Sequence, residues 1–194
     1  MNGTTDLIHL LHVDDDPQIV ELTATFLERV DDRIRVVTAT GASDGLDVLA
    51  SDEVDCIVSD YDMPGQNGIE FLERVREEYP DLPFILYTGR GSEAVASDAI
   101  TAGVTDYFRR EGGLDQCTIL ANRIVNAVER YHETSEARRQ RDLFAKAQEI
   151  ADVGVWEYDT GTEMFYNSEE VLEIHGLSPD EDMSAEKSFG YYHP

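Results

Sequence analysis

Carboxylate and hydroxyl side chains follow three apolar segments of the sequence, at the points where strands would end. Asp14 and Asp15 follow the first segment, Asp60 the third and Thr88 the fourth. Binding sites of open parallel sheets form outside the carboxyl ends of the strands. Three carboxylates in one crevice repel each other unless a cation neutralises them, and an all-oxygen donor set suits Mg²⁺ better than zinc. The sequence therefore predicts a magnesium site at this edge.

The same residue types could carry phosphoryl chemistry. A carboxylate beside a bound Mg²⁺ can act as a nucleophile toward a phosphoryl group and form an aspartyl phosphate. The Thr88 hydroxyl could donate to one transferring oxygen, and Arg109 or Arg110, at the end of the fifth apolar segment, could supply a cation.

The elements that must position these residues alternate between strands and helices. Short apolar or β-branched runs predict five strands, and segments with helical spacing of apolar residues separate them. This order is typical of βαβ crossovers. We therefore predict an α/β fold with a doubly wound, five-stranded parallel sheet, its strands at 7–13, 33–38, 54–59, 83–87 and 105–109.

A long helix is predicted after the fifth strand. It begins near Leu114, and neither Pro nor Gly interrupts the sequence before Gly154. Its apolar stripe thins through 132–142 and resumes at Leu143. We expect a continuous helical linker at 131–151, which could pair with a second copy of the chain to form a homodimer.

The composition limits the classes of function. There are 41 acidic and 15 basic residues, giving a net charge of −26, and the only lysines are Lys146 and Lys187. A surface this acidic repels the phosphate backbones of nucleic acids. We therefore expect no nucleic-acid partner. The excess of acid with so little lysine indicates adaptation to a salt-rich, halophilic cytoplasm.

Neither a membrane class nor a secreted class is expected. No apolar run is long enough to cross a bilayer, and no signal peptide is recognisable. Two cysteines, Cys56 and Cys117, are too few for a disulfide framework or a Cys-based zinc site. We expect a cytoplasmic protein, and the five scattered histidines are assigned no chemistry.

Four motifs together resemble one family. Residues 7–130 resemble a response-regulator receiver domain of the CheY-like type, and we place that domain at 1–130. The matching motifs occur in the family's order and spacing, and they are VDDDP at 13–17, SDYDMPGQNGIEF at 59–71, LYTGRG at 86–91 and GVTDYFRR at 103–110.

The resemblance implies an acceptor and a metal site. Asp60 would accept a phosphoryl group from a partner histidine kinase in two-component phosphorelay signalling. Asp15 and Asp60 would bind Mg²⁺, with Asp14 assisting through water and the Asp62 backbone carbonyl as a further ligand. The chain would catalyse its own phosphorylation and could also dephosphorylate itself, but it would not be a kinase, because it shows neither a phosphotransfer helix nor a glycine-rich ATP motif.

The resemblance also implies a switch. Thr88 would move toward the phosphoryl group, and Tyr107 would follow it inward, changing the face formed by the fourth helix, fifth strand and fifth helix. A homodimer could form through this receiver face or through the linker helix. At one position the chain departs from the family, since Arg110 replaces the usual lysine. Arginine keeps the charge but is planar and bulkier. A phosphorylation-independent pseudo-receiver, acting as an interaction module, is therefore the alternative.

A second alternative is a phosphatase of the haloacid-dehalogenase type. Asp60-Tyr61-Asp62 matches the D-x-D sequence of that family. Those proteins expect Thr or Val two residues after the second Asp, where this chain has Pro64. They also need no acidic cluster after the first strand, so this alternative is disfavoured.

The C-terminal segment resembles the beginning of a PAS sensor domain. The resemblance rests on GVWEYDTGTEMFYNSEEVLEIHGLSP at 154–179 and YYHP at 191–194. We expect residues 152–194 to be an incomplete α+β PAS-like segment, too short to enclose a ligand. A fragment of a longer receiver–PAS protein and a truncated gene are both compatible with this pattern.

Overall fold

We describe a computed structural model of the chain, covering residues 7–89, 92–110, 114–151, 155–162, 164–176 and 178. The chain divides into two compact units, residues 1–134 and 135–194. Strands and helices alternate in the first unit, as predicted. Its elements are β1 (Ile8–Val13), α1 (Pro17–Val30), β2 (Ile34–Ala39), α2 (Ala42–Ser51), β3 (Cys56–Ser59), α3 (Gly68–Glu78), β4 (Phe84–Thr88), α4 (Glu93–Thr101), β5 (Asp106–Arg109) and α5, which begins at Leu114 and ends at Ala151.

The five strands form one parallel sheet in the order β2-β1-β3-β4-β5. This confirms the predicted sheet. The strand order reverses between β1 and β3, so the loops after these two strands diverge and leave a crevice at the carboxyl edge. Asp14 and Asp60 are the first residues after β1 and β3, which places both of them at that crevice.

Two apolar layers cover the sheet. On one face, α2, α3 and α4 pack through residues such as Leu49, Phe71 and Ala99. On the other face, α1 and α5 pack through residues such as Leu27 and Ile124. The strands are buried on both faces, which explains why they read as nearly continuous apolar runs in the sequence.

Local capping fixes the two helices that begin beside the crevice. Asp16 is the N-cap of α1 and accepts a hydrogen bond from the Gln18 N–H at 2.9 Å, with Pro17 in the first turn. Asn67 and Glu70 form a capping box at the start of α3. Both caps hold the loops that follow β1 and β3.

The second unit contains the end of α5 and three short elements. β6 (Trp156–Asp159) and β7 (Met164–Asn167) pair antiparallel, and α6 (Glu169–His175) follows them. The long helix predicted after β5 is confirmed. Residues 179–194, with the YYHP motif, lie outside the described residues.

No helix in the described part of the chain is long and apolar enough to cross a bilayer.

Candidate functional site

Three carboxylates meet at the carboxyl edge of the sheet. Asp14, Asp15 and Asp60 each offer one oxygen, and these oxygens lie within 4.8 Å of one another. Asp14 and Asp60 are buried and Asp15 is exposed. The structure thus brings together the three carboxylates that the sequence places at this edge.

The two oxygens of Asp60 have different surroundings. Oδ2 accepts a hydrogen bond from the Asp62 backbone N–H at 3.1 Å. Oδ1 is buried and has no hydrogen-bond partner among the described residues. A buried, unpartnered carboxylate oxygen is costly, because burial removes the water that would otherwise solvate it. This atom therefore needs a cation or another ligand.

Among the described residues, Arg110 supplies a cation to the site, and it contacts Asp14 more closely than Asp60. Its Nη1 donates to Asp14 Oδ2 at 2.7 Å, whereas its Nη2 lies 4.0 Å from Asp60 Oδ1. Asp14 Oδ1 also accepts from the Asp16 N–H at 3.0 Å. The guanidinium lies over the Tyr87 ring, 5.6 Å from its centroid. Asp14 is therefore neutralised by a protein cation, and Asp60 only partly.

These side chains line an open cavity of about 290 Å³, formed by Asp14, Asp15, Asp16, Ile19, Asp60, Asp62, Gly89 and Arg110. Its donors are carboxylate oxygens, which fit a hard divalent cation. A cation bound beside the unpartnered Asp60 Oδ1 would neutralise the charge of that carboxylate. The acidic cluster of the structure thus has the chemistry of a Mg²⁺ site.

Gly68 allows the loop after β3 to close tightly. A Cβ added there would lie 2.2 Å from the Asp60 carbonyl oxygen and 2.8 Å from the Leu86 side chain. The Gly68 N–H donates to the Tyr61 carbonyl at 2.9 Å. Only glycine at this position therefore lets the start of α3 approach the Asp60 backbone so closely.

Thr88 and Tyr107 lie on β4 and β5, the strands that lead to the cavity residues Gly89 and Arg110. Thr88 is fully buried at the end of β4, and the Arg110 N–H donates to its carbonyl at 2.9 Å. Tyr107 lies opposite Leu86 in the β4–β5 pairing and packs against the core on the α2–α4 face. Its hydroxyl is buried without a hydrogen-bond partner among the described residues.

His12 is a buried titratable group that the sequence analysis left without a role. It lies in β1, 1% exposed, and its Nδ1 has no partner in the described structure. Burial lowers the pKa of His12 to about 4, partly opposed by a hydrogen bond with the Val20 backbone. The sequence feature that could have identified this group is its position inside an apolar strand, because burial there favours the neutral form of a histidine.

Comparison with known proteins shows which family the chain resembles. The family model described as "Response regulator receiver domain" matches residues 10–121. Response regulator SaeR of Staphylococcus aureus is 29% identical over 126 residues, 65% of this chain and 54% of that protein. The chain thus spans about half the length of this curated relative.

Solved structures give the same fold. A response regulator receiver domain protein from Clostridium thermocellum is 25% identical with a TM-score of 0.60, covering 66% of this chain and 99% of that one. A CheY-like receiver domain protein from Methanospirillum hungatei matches with the same TM-score and coverage at 24% identity, which supports the fold alone. With a family match that runs from β1 into α5 and includes the acidic cluster, the chain belongs to the response regulator receiver domain family of two-component systems.

Proposed function

We propose that Asp60 accepts a phosphoryl group from a histidine kinase in a Mg²⁺-dependent step. Receiver domains as a family accept phosphate from such kinases. The observation that carries the proposal for this chain is the buried Asp60 Oδ1, which lacks a hydrogen-bond partner in the described structure and lines a cavity open to a donor.

In the proposed step, a carboxylate oxygen of Asp60 forms a bond to phosphorus. The bond between phosphorus and the phosphohistidine nitrogen breaks, and the imidazole leaves with the electron pair and takes up a proton. Arg110 supports this step if its guanidinium turns from Asp14 toward the transferring oxygens, a shift that starts from 4.0 Å at Asp60. The Thr88 hydroxyl would donate to another of those oxygens.

The proposed ligands of Mg²⁺ are Asp15 and Asp60, with Asp14 through water and the Asp62 backbone carbonyl. A bound Mg²⁺ supplies charge neutralisation for the acceptor and the phosphoryl oxygens. Asp15 supports this proposal because it is exposed at the cavity mouth and no ion pair within the described residues engages it.

The proposed output is the face formed by α4, β5 and α5. Tyr107 supports this proposal because its buried hydroxyl lacks a partner among the described residues, so the side chain gains a hydrogen bond in another position. Thr88 lies on β4, the strand that pairs with β5, which carries Tyr107. A shift of Thr88 would therefore be transmitted to Tyr107 through this strand pairing.

The proposed organisation is a receiver domain at 1–130, a helical linker at 131–151 and a PAS-like segment at 152–194. The β6–β7 hairpin followed by α6 supports the PAS-like segment.

We also propose a cytoplasmic location in a salt-rich cell, a histidine kinase as phosphodonor, pairing of linker helices in a homodimer, and no nucleic-acid or membrane partner. The charge of −26 supports the salt-rich setting and the absence of nucleic acid.

Intact mass spectrometry after incubation with Mg²⁺ and a small-molecule phosphodonor tests the proposed acceptor. We expect the mass of one phosphoryl group, lost in Asp60→Asn and when a chelator removes Mg²⁺. Asp62→Asn is the matched control, because it changes an exposed carboxylate of the same loop and leaves the backbone ligand in place. A phosphoryl group that persists in Asp60→Asn would contradict the proposal.

A pseudo-receiver is the second candidate, and one observation favours it. The contact of 2.7 Å between Arg110 and Asp14 fills part of the acidic site with a protein cation. If the folded protein gains no phosphoryl group under these conditions, this candidate replaces the first.

A further inference from the structure

A pair of stacked aromatic rings lies between the acidic site and α5. Tyr87 of β4 and Phe108 of β5 are opposite each other in the strand pairing, and their ring centroids are 5.6 Å apart with an interplanar angle of 14°. Both rings pack in the core on the α1–α5 face of the sheet. We refer to Tyr87 and Phe108 as the aromatic platform.

A guanidinium lies over each ring of the platform. Arg110 Cζ is 5.6 Å from the Tyr87 centroid, and Arg123 Cζ is 4.6 Å from the Phe108 centroid. At both distances a cation is attracted by the ring. Arg123, which belongs to α5, also pairs with Asp106 of β5. The platform therefore joins the cation of the acidic site to the last helix of the sheet domain.

The backbone directs Arg110 toward the Tyr87 ring. The Arg110 N–H donates to the Thr88 carbonyl at 2.9 Å, which extends the β4–β5 pairing by one residue. Arg110 follows Phe108 by two positions, and alternate residues of an extended chain share one face. The Tyr87 ring is only 4% exposed, so its contact with the guanidinium is partly sheltered from water, which strengthens it.

The ring and the carboxylates hold the guanidinium in different ways. Arg110 Nη1 donates to Asp14 Oδ2 at 2.7 Å, and Nη2 lies 4.0 Å from Asp60 Oδ1. A hydrogen bond fixes a direction, whereas attraction to a ring face leaves the guanidinium free to turn above it. A planar guanidinium suits this place better than an ammonium, because it stacks on aromatic faces and is more weakly hydrated.

We propose that Tyr87 is a positioning residue for Arg110, whose guanidinium the ring keeps beside the acidic cavity and within reach of Asp14 and Asp60. Arg110 lines that cavity, whereas Tyr87 is not among the described residues that line it, so Tyr87 acts through the guanidinium. This inference rests on the proposed function and adds the group that holds Arg110 in place. Without the ring, the guanidinium spends more time in solvent and both opposes a metal cation less and supports phosphoryl transfer less.

A double-mutant cycle read by Mg²⁺ affinity tests the inference. In calorimetric titration of the full chain, Tyr87→Leu should bind Mg²⁺ about threefold more tightly than the wild type, the lower end of what a contact of this kind is worth. Tyr87→Phe keeps the ring and should bind as the wild type does. In an Arg110→Gln background, Tyr87→Leu should have no effect on affinity, because no guanidinium is left to position.

The rate of phosphoryl acceptance should follow the same pattern. Tyr87→Leu should slow it about threefold, and Tyr87→Phe should leave it unchanged. Tyr79→Leu is the matched control, because it removes a half-buried tyrosine that packs on the α2–α4 face, away from the platform. It should lower stability without changing Mg²⁺ affinity. Tyr87→Met, with a flexible apolar side chain, serves if Tyr87→Leu does not fold.

Nuclear magnetic resonance of the ¹⁵N-labelled chain reads the position of the guanidinium without metal or phosphodonor. The Arg110 Nε–H resonance, assigned by its loss in Arg110→Gln, should move in Tyr87→Leu and keep its place in Tyr87→Phe, because an aromatic ring shifts the resonances of nuclei that lie over it. A wild type that binds no Mg²⁺ would contradict the proposed metal site, and this resonance would then decide the role of Tyr87. The inference is overturned if the resonance does not move in Tyr87→Leu, or if Tyr87→Leu changes Mg²⁺ affinity equally with and without Arg110.

Discussion

At the scale of single residues, Arg110 connects the two buried carboxylates of the site. It donates to Asp14 at 2.7 Å and remains 4.0 Å from Asp60. A cation introduced at this cavity must share Asp14 with the guanidinium or displace it. Arg110 therefore opposes metal binding in the resting protein, while in the proposed transfer it helps the phosphoryl group.

Arg110→Gln separates these two effects. Removing a positive charge beside the acidic cluster should raise Mg²⁺ affinity at least about tenfold, because a unit charge and a divalent charge about 6 Å apart still repel by about 1.4 kcal/mol at the dielectric constant of water. The same change should slow phosphoryl acceptance, because a cation for the transferring oxygens is lost. Calorimetric Mg²⁺ titration gives the first quantity and mass spectrometry over time the second.

Arg109→Gln is the matched control for that experiment. Arg109 is exposed at the end of β5, so its loss changes the net charge equally but leaves the contact with Asp14. Equal Mg²⁺ affinity in wild type and Arg110→Gln would show that Arg110 does not compete with the cation.

His12 gives a pH dependence of known sign. Burial lowers the pKa of His12 to about 4 in the folded chain, whereas the ordinary pKa of a solvated histidine is about 6.5. The unfolded chain therefore binds a proton that the folded chain rejects, and stability falls as the pH drops below about 6.5. We expect a loss of about 2 kcal/mol between pH 7 and pH 5 that His12→Gln abolishes, measured by urea unfolding. An equal pH slope in the variant would contradict this origin.

At the scale of elements, the loop between β3 and α3 is the tightest part of the site. Gly68→Ala places a Cβ against the Asp60 carbonyl, where 2.2 Å is available. Backbone must move to admit it, so we expect a loss of about 3 kcal/mol in the free energy of unfolding, together with slower phosphoryl acceptance at Asp60.

Gly41→Ala is the control for Gly68→Ala. Gly41 precedes α2 in an extended conformation, and a Cβ there meets nothing within 4 Å. This change should alter stability by less than about 1 kcal/mol. Similar losses in the two variants, measured by urea unfolding, would mean that the close approach to Asp60 is unimportant.

The elements themselves were predictable from sequence, because local signals agree with the tertiary fold. Pro17 favours a helix start by its own chemistry, and the apolar strands are buried on both faces. Asp14 and Asp60 could be placed at one edge because parallel strands put their carboxyl ends together.

Side-chain pairing was not predictable. The preference of Arg110 for Asp14 over Asp60 depends on the path of the chain after β5, which no local pattern encodes. His132 and Asp55 meet across 77 residues of sequence, and no spacing rule joins them. The contacts of His9 and His132 with Asp55 therefore could not be predicted from the sequence.

At the scale of the whole molecule, charge sets the conditions under which the fold is stable. With 41 acidic and 15 basic residues, the compact chain repels itself. Raising KCl from about 0.1 M to about 1 M shortens the screening length from roughly 10 Å to roughly 3 Å. We expect the free energy of unfolding to rise over this range, as measured by thermal unfolding. Sorbitol at matched osmolality should not reproduce the rise, and stability independent of KCl would contradict the proposed adaptation to salt.

The central claim is that Asp60 carries the phosphoryl group, and it can be read at the residue itself. The full chain is treated with Mg²⁺ and a phosphodonor in concentrated KCl, reduced with borohydride, and digested for peptide sequencing by mass spectrometry. Borohydride converts an aspartyl phosphate to homoserine, so the account predicts homoserine at position 60 and aspartate at positions 14, 15 and 62. Homoserine at one of those other positions, or at none while the protein remains folded, would contradict it.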